Sequence, residues 1–591
     1  MALFGTALVV ALAFRLACPD VRPMHHDEAN QAVRFGLLLE QGEYRYDRSD
    51  HHGPALYYLT LPAAWVHGQA DLASLDEHTL RAVPALFGAA TIALFALLAG
   101  GLGRGAVAAA AILGAVSPAL TYYSRFYIQE PLFVFFALGF LVALGRAGIR
   151  PPALAPAVWT GVFAGFLYST KETSVIVFAA AAGALVVARA GSARRAHIEP
   201  AQEPAAGAGH ATGRGLQAAA ALVPALLISG LAYSSFSSNP EGIMESVRAF
   251  GIYAGRGLAP GPHEQSWHYY LRTLLWSNSG GLVLTEALVL VLAAVGVGSA
   301  FVRRRRCFWP WYVSLYTLFA AAAFSALRYK TPWNLLSFHT GFVVMAGVGV
   351  ASLFALPRSR AIRVLLFAVL AAGCGHLAFQ AWRASFRFPA DPRNPYAYAQ
   401  TSTDFLRLIQ RINDLASSHA DGDRMFVAVI AGPYEQWPLP WYLRRMLRVG
   451  YWTDASNVPI PAGTPVVIAS QANAEAVETS IARGYVAEHY GLRPGVLLTM
   501  YIEPGLWESF METRALRTSS RSPGVGAARL SNAPRFFTHG VPGDLPEIRS
   551  RQRCAHGPLP VTCGSGSQPV APSRWLPAGG SPQCGQGALS L

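Results

Sequence analysis

Four short stretches carry residue types that could do chemistry. The first is Met24-His25-His26-Asp27-Glu28-Ala29-Asn30, directly after an apolar segment at residues 1–17. Two carboxylates behind two imidazoles are costly to desolvate at a membrane boundary, so they are read first as a site. The others are Tyr122 to Pro131, with Arg125 and Glu130; Tyr168 to Thr173, with Lys171 and Glu172; and Arg328 to Asn334, with Arg328, Lys330 and Trp333. Carboxylates can act as a general base or hold a divalent cation. Lys and Arg neutralise a phosphate leaving group. Aromatics can pack against a sugar ring or an isoprenoid chain. The bland reading of each stretch is a solvated turn or a surface salt bridge, and it weakens when all four fall on one face. Of 47 basic residues only two are lysine, Lys171 and Lys330. Both lie in these stretches, where a compact ammonium does what a planar guanidinium cannot.

The elements that must position them are membrane spans. The 591 residues are 52% hydrophobic and only 14% charged, with a mean hydropathy of +0.30, which excludes an ordinary soluble domain with about 25% charged residues. Apolar blocks near 1–17, 82–100, 105–122, 131–145, 153–168, 173–189, 216–237, 280–302, 309–327, 336–356 and 361–382 have about the length that crosses a bilayer. They predict a polytopic α-helical membrane protein with about 11 transmembrane helices. The first block lacks a basic leader and reads as a retained span. Alternate connections carry Arg104; Arg146 and Arg150; Arg189, Arg194, Arg195 and Arg214; Arg303 to Arg306; and Arg358, Arg360 and Arg363, with only Glu199 and Glu203 as acids. That bias marks the cytoplasmic side. All four stretches then face outward, and an odd span count puts the C-terminal part outside as well. The net charge of +14 is therefore topology; no nucleic-acid-binding motif contests it. The six cysteines show no CxxC or zinc spacing, and no Walker A or GxGxxG signature supports a cytosolic nucleotide.

The first outer loop, 18–80, contains an amphipathic piece (Ala32, Phe35, Leu38, Leu39) expected to lie on the membrane surface. It continues through Asp50-His51-His52-Gly53-Pro54 into Leu56-Tyr57-Tyr58, a turn leading into an interfacial helix. After the transmembrane domain (1–385), residues 386–514 predict a small extracytoplasmic α/β domain. It has a helix at 401–416 with a Ser/Thr/Asp cap in Ser402-Thr403-Asp404, strands at Arg424–Ile430 and Pro465–Ala469, and a helix near 473–484. The Ser-, Gly-, Pro- and Arg-rich tail, 515–591, predicts disorder.

The acidic motif after the first span, the HGPALYYL segment, YYSRFYIQEP, the Lys171-Glu172 turn and RYKTPWN together resemble a membrane glycosyltransferase of the GT-C superfamily. The likeness is to its protein O-mannosyltransferase, aminoarabinose transferase and RgtA/B/C/D-like group, nearest the flippase activity-associated protein family, over about residues 1–385. The resemblance implies inverting transfer from a polyprenyl-phosphate sugar to a glycan, lipid or protein acceptor in the cell (inner or plasma) membrane. Asp27 would be the base, with Glu28 as second choice. Glu130 would be the second acidic position, where the family often has Asp. Arg125, Lys171 and Lys330 would clamp the phosphate, with Glu172, Arg328, Trp333 and Tyr57 in the substrate-binding set. A divalent metal cation is an optional cofactor, with His26, Asp27 and Glu130 as candidate ligands; His25, His51 and His52 read first as hydrogen-bonded interfacial residues. A flippase for lipid-linked sugars would use the same cations but should show internal repeats or broken helices, and no clear repeat is present.

Overall fold

A computed structural model describes residues 2–48, 52–149, 152–196, 208–258, 261, 263–304, 306–356, 359–455 and 460–519. Asp50, His51, Arg150, Glu199, Glu203, Arg305, Arg358 and the tail from 520 onward lie outside the described residues. Residues 1–511 form one compact unit.

Every apolar block is helical over most of its length. Five helices among the described residues are long and apolar enough to cross a membrane: Glu77–Leu102, Glu130–Ile149, Gly213–Tyr233, Pro332–Ala355 and Arg360–Arg387. Shorter apolar helices include Ala2–Leu16, Arg104–Val116, Leu154–Tyr168, Ser174–Ala190 and Ala287–Val302. Small residues let them approach closely: a side chain at Gly296 would overlap the Met345 carbonyl, and one at Gly349 the Leu292 carbonyl. The first helix is tied in by a buried arginine. The Arg15 guanidinium donates to the carbonyls of Ala11 (3.2 Å), Gly114 (3.1 Å) and Ala115 (3.3 Å) and to Ser124 Oγ (3.3 Å).

Two expectations change. The block at 280–302 begins with a hairpin, β1 (Ser277–Ser279) and β2 (Leu282–Leu284), so its helix runs only from Ala287 to Val302. Gly280 and Gly281, at φ +50° and +81°, form the two-residue turn with positive φ at both positions that fits a twisted hairpin. The amphipathic piece of the first loop is a helix, His26–Gln41, but Ala29, Ala32, Phe35 and Leu38 are buried in the main protein core. Its apolar face is covered by protein, not by lipid.

Beyond the helices lies a five-stranded sheet in the order β4-β3-β5-β7-β6. It comprises β3 (Val427–Ile430), β4 (Val449–Trp452), β5 (Val466–Ser470), β6 (Val486–Arg493) and β7 (Val496–Ile502). β3 pairs in parallel with β4 and β5, while β7 runs antiparallel to β5 and β6. The alternation of side chains gives the sheet two covered faces. Val427, Val429 and Ile468 pack with Phe405, Leu408 and Ile412 of helix Thr403–Ala416, and Ala428, Ile430 and Val467 pack with Val477 of helix Ala474–Ser480. Ser402 caps the first of these helices, as its position predicts, accepting from Phe405 N–H at 3.3 Å.

The sheet layer is joined to the first loop by polar contacts. Trp441 Nε1 donates to Glu77 (2.9 Å), Met24 N–H to Tyr442 Oη (2.9 Å), Thr401 Oγ1 to the Met24 carbonyl (2.8 Å) and Gln400 to the Pro23 carbonyl (2.9 Å). The acidic motif therefore sits at this seam.

Candidate active site

The motif starts a helix because of its own side chains. His25 is the N-cap: Asp27 N–H donates to His25 Nδ1 (3.1 Å), and His25 N–H donates back to Glu28 Oε2 (3.0 Å). This reciprocal box satisfies two of the donors that a helix start leaves open. Asp27 and Glu28 are neighbours in sequence but about 100° apart around the helix, so they enter different surroundings.

Glu28 is fully buried. Arg81 grips it bidentately, Nε to Oε1 and Nη2 to Oε2, both at 2.8 Å. Tyr127 N–H donates to Oε1 at 2.9 Å, and Arg22 Nη2 lies 3.6 Å from Oε2. Burial alone would raise the carboxyl pKa, but the charges of Arg81 and Arg22 and these hydrogen bonds outweigh it and hold it at about 2. Arg22 in turn stacks 3.4 Å above the Phe126 ring and donates to the Arg125 carbonyl at 2.8 Å. Glu28 thus fastens the first loop to the Tyr122–Pro131 turn.

Asp27 faces the other way. Its side chain is 41% exposed, against 0% for Glu28, 4% for Glu130 and 3% for Glu172. His25 Nδ1 lies 3.8 Å from Asp27 Oδ2. Its charge acts on His26 and on His263, whose imidazoles burial otherwise holds below their ordinary pKa. His263 Nδ1 is 2.6 Å from Tyr398 Oη, and His25 Nε2 is 3.1 Å from the Tyr398 carbonyl. Trp333 closes the other side, 5.7 Å from the His25 ring and 6.1 Å from Tyr398.

The lysines are both buried. Lys171 Nζ pairs with Glu130 and donates to Asn334 Oδ1 at 3.1 Å. Lys330 Nζ donates to the carbonyls of Leu327 and Gln265, the latter at 3.0 Å, and the Lys330 backbone N–H donates to the His263 carbonyl at 3.0 Å. Burial lowers the Lys330 pKa, with Glu264 opposing. On the same turn, Arg328 is half exposed and 3.7 Å from Glu264. Arg125 donates to the carbonyls of Phe14 (3.0 Å), Arg15 (3.3 Å), Ala17 (2.6 Å) and Cys18 (2.7 Å), capping the C-terminal end of the first helix. Tyr57 is fully buried and donates to Gln31. His26, Asp27 and Glu130 form no metal-binding group, since no cluster of three His, Cys, Asp or Glu gathers among the described residues.

Glu172 belongs to a separate network, accepting from His52 Nδ1 (2.7 Å) and Tyr46 Oη (3.1 Å). Burial would raise its pKa, but His52, a backbone hydrogen bond and Lys171 bring it below 4.5. A group depressed on folding stabilises above its unfolded pKa and loses that contribution as pH falls through the folded value. Glu172→Gln should therefore cost about 1.5–3 kcal/mol at pH 7. The gap from wild type should narrow as pH falls below about 4.5, read from unfolding curves in detergent at pH 7 and pH 4.

Sequence reading did not find Arg22, Arg81, His263 or Tyr398. Arg81 had a signal, a lone arginine in the first turns of the apolar helix Glu77–Leu94, where an unpaired charge is not tolerated. A fully buried trio was also missed: Ser117 Oγ donates to Glu286 Oε1 (2.8 Å), and His339 Nε2 lies 3.0 Å from Glu286 Oε2.

No protein-family profile matches the chain, and no curated protein sequence does. Solved structures do. ArnT from Cupriavidus metallidurans bound to undecaprenyl phosphate superposes with a TM-score of 0.56 at 16% identity, covering 84% of this chain and 97% of that one. The Archaeoglobus fulgidus oligosaccharyltransferase complex with Zn and sulfate gives a TM-score of 0.51 at 13% identity, covering 87% and 76%. At such identities the likeness shows the fold alone: the chain is folded as these solved structures are.

Proposed function

We propose that this chain is a membrane glycosyltransferase that moves a sugar from a polyprenyl-phosphate donor to an acceptor at the extracytoplasmic face, with inversion. In this reading about eleven helices span the membrane, the N-terminus is cytoplasmic, and the sheet layer lies outside with the seam that holds Asp27. The observation that carries it is the contrast among the motif carboxylates: three are buried and engaged, and Asp27 alone has an open side chain. A general base needs such access to the proton it removes.

Asp27 takes the proton of an acceptor hydroxyl as that oxygen attacks the anomeric carbon from the face opposite the phosphate. The bond from that carbon to the phosphate oxygen breaks, and the lipid phosphate leaves with the electron pair. Lys330 and the open Arg328, both on the Leu327–Trp333 turn, supply positive charge for that leaving group. Lys171, paired with Glu130, holds Asn334, fixing the residue next to Trp333. Glu28 and Arg125 position the loop, and Trp333 lines the site.

The test is transfer from radiolabelled polyprenyl-phosphate hexoses to a membrane extract by the purified chain. Label in an acceptor supports the reading. No transfer from any donor, with translocation of the labelled lipid across vesicles that lack acceptor, would overturn it in favour of a flippase.

A further inference from the structure

The seam carries an aromatic ledge that the chemistry above does not use. The His26 ring stacks on Tyr434 with centroids 5.9 Å apart at 29°, and meets Trp437 at 6.0 Å and 58°. Both aromatics come from the segment after β3, whose backbone is fixed. Gln436 Nε2 donates to the carbonyls of Ala431 (2.9 Å) and Trp452 (3.0 Å), and Arg493 Nη1 donates to the Tyr434 carbonyl (3.1 Å). Yet Tyr434 is 74% exposed. A ring on a fixed backbone, stacked on one side and open to solvent, is preorganised for a ligand that brings an apolar face. The ledge has a charged rim: Arg493 approaches closely enough for its charge to act on His26, Glu435 acts on Arg493, and Asp27 adjoins His26 in the chain.

An acyl or isoprenoid chain wants a continuous apolar lining, which this rim interrupts. A pyranose ring has an apolar C–H face and a rim of hydroxyls, and that pattern matches an aromatic face edged by a guanidinium and two carboxylates. We propose that Tyr434, His26 and Trp437 form the acceptor subsite and that the acceptor is a glycan. A sugar ring lies on Tyr434, and Arg493 and Glu435 bind its hydroxyls. The ring's nucleophilic hydroxyl is thereby turned to Asp27. This assignment rests on Asp27 being the base, and it narrows the acceptor from glycan, lipid or protein to a carbohydrate.

The experiment has two arms on the full chain in detergent. In the first, calorimetry follows binding of maltotetraose, mannotetraose, chitotetraose and galactotetraose. At least one should bind saturably; Tyr434→Ala should weaken it about tenfold, and Tyr434→Phe should restore it. In the second, the product of transfer from a radiolabelled polyprenyl-phosphate hexose to a membrane extract is characterised, and the label should reside in a glycan. Transfer by wild type with no binding of any of the four sugars, or label in protein or in a glycan-free lipid, overturns the ledge and spares the enzyme reading. Sugar binding lost in Tyr434→Ala, with no transfer from any donor, overturns the enzyme reading and spares the ledge.

Discussion

Asp27→Asn is expected to lower transfer by about 10²–10⁴-fold, the usual contribution of a positioned general base, while the protein expresses and unfolds as wild type does. The amide has the same size and stays in the first turn of helix His26–Gln41. The variant loses only the favourable position of a negative charge at a helix start, worth about 0.3–1 kcal/mol. The capping box is unaffected, since it uses Asp27 N–H and the side chains of His25 and Glu28. Donor binding should hold, because the cations assigned to the phosphate lie on the Leu327–Trp333 turn. The checks are initial transfer rates with a labelled polyprenyl-phosphate hexose, binding of the same lipid, and a melting curve. A normally folded Asp27→Asn protein with wild-type rates would remove Asp27 from the chemistry and with it the principal support for the enzyme reading.

How the sequence divided into what could and could not be read follows from the range of each interaction. Local signals were legible. The apolar blocks, the Ser402 cap and the strands at Val427–Ile430 and Val466–Ser470 all came from periodicity and capping chemistry within one element. The His-His-Asp-Glu motif stood out for its cost at a membrane boundary. Its division of labour did not, because that depends on Arg81, 53 residues away, closing on Glu28. A separation of 107 to 111 residues likewise hid the role of Arg125, whose four carbonyl partners lie at the end of the first helix. The amphipathic helix was legible as a helix, but periodicity does not say whether its apolar face meets lipid or protein. Strand β6 alternates, with its burial switching along Val486–Arg493, yet Gly491 and the charged positions masked it. The hairpin at Gly280-Gly281 was lost inside an apolar run, where a turn signal carries less weight than hydropathy.

The largest effect on stability is expected from Arg81→Met. Methionine fills much of the volume but leaves Glu28 as a buried carboxylate whose bidentate partner is gone, and removing one member of a buried pair costs about 3–5 kcal/mol. It also frees the carbonyls of Pro19 and Arg22, to which Arg81 Nη1 donates at 2.5 and 2.9 Å. Glu28→Gln in the Arg81→Met background should recover part of the loss, because it removes the uncompensated charge; two residues in direct contact are not expected to add. The pH dependence separates a charge effect from a packing effect. In wild type Arg81 and Arg22 hold Glu28 at about 2, well below the ordinary carboxylate range, so its contribution is full above about pH 5 and is lost as pH falls toward 2. Without Arg81 the depression shrinks, and stability should decline less steeply over the same window. Unfolding in detergent from pH 7 to pH 3 for wild type, Arg81→Met and the double variant measures this directly. Equal slopes in all three would mean that Arg81 acts by packing alone. Because Glu28 holds the helix whose first turn carries Asp27, Arg81→Met should also reduce transfer in the fraction that remains folded, which connects the buried pair to the open carboxylate beside it.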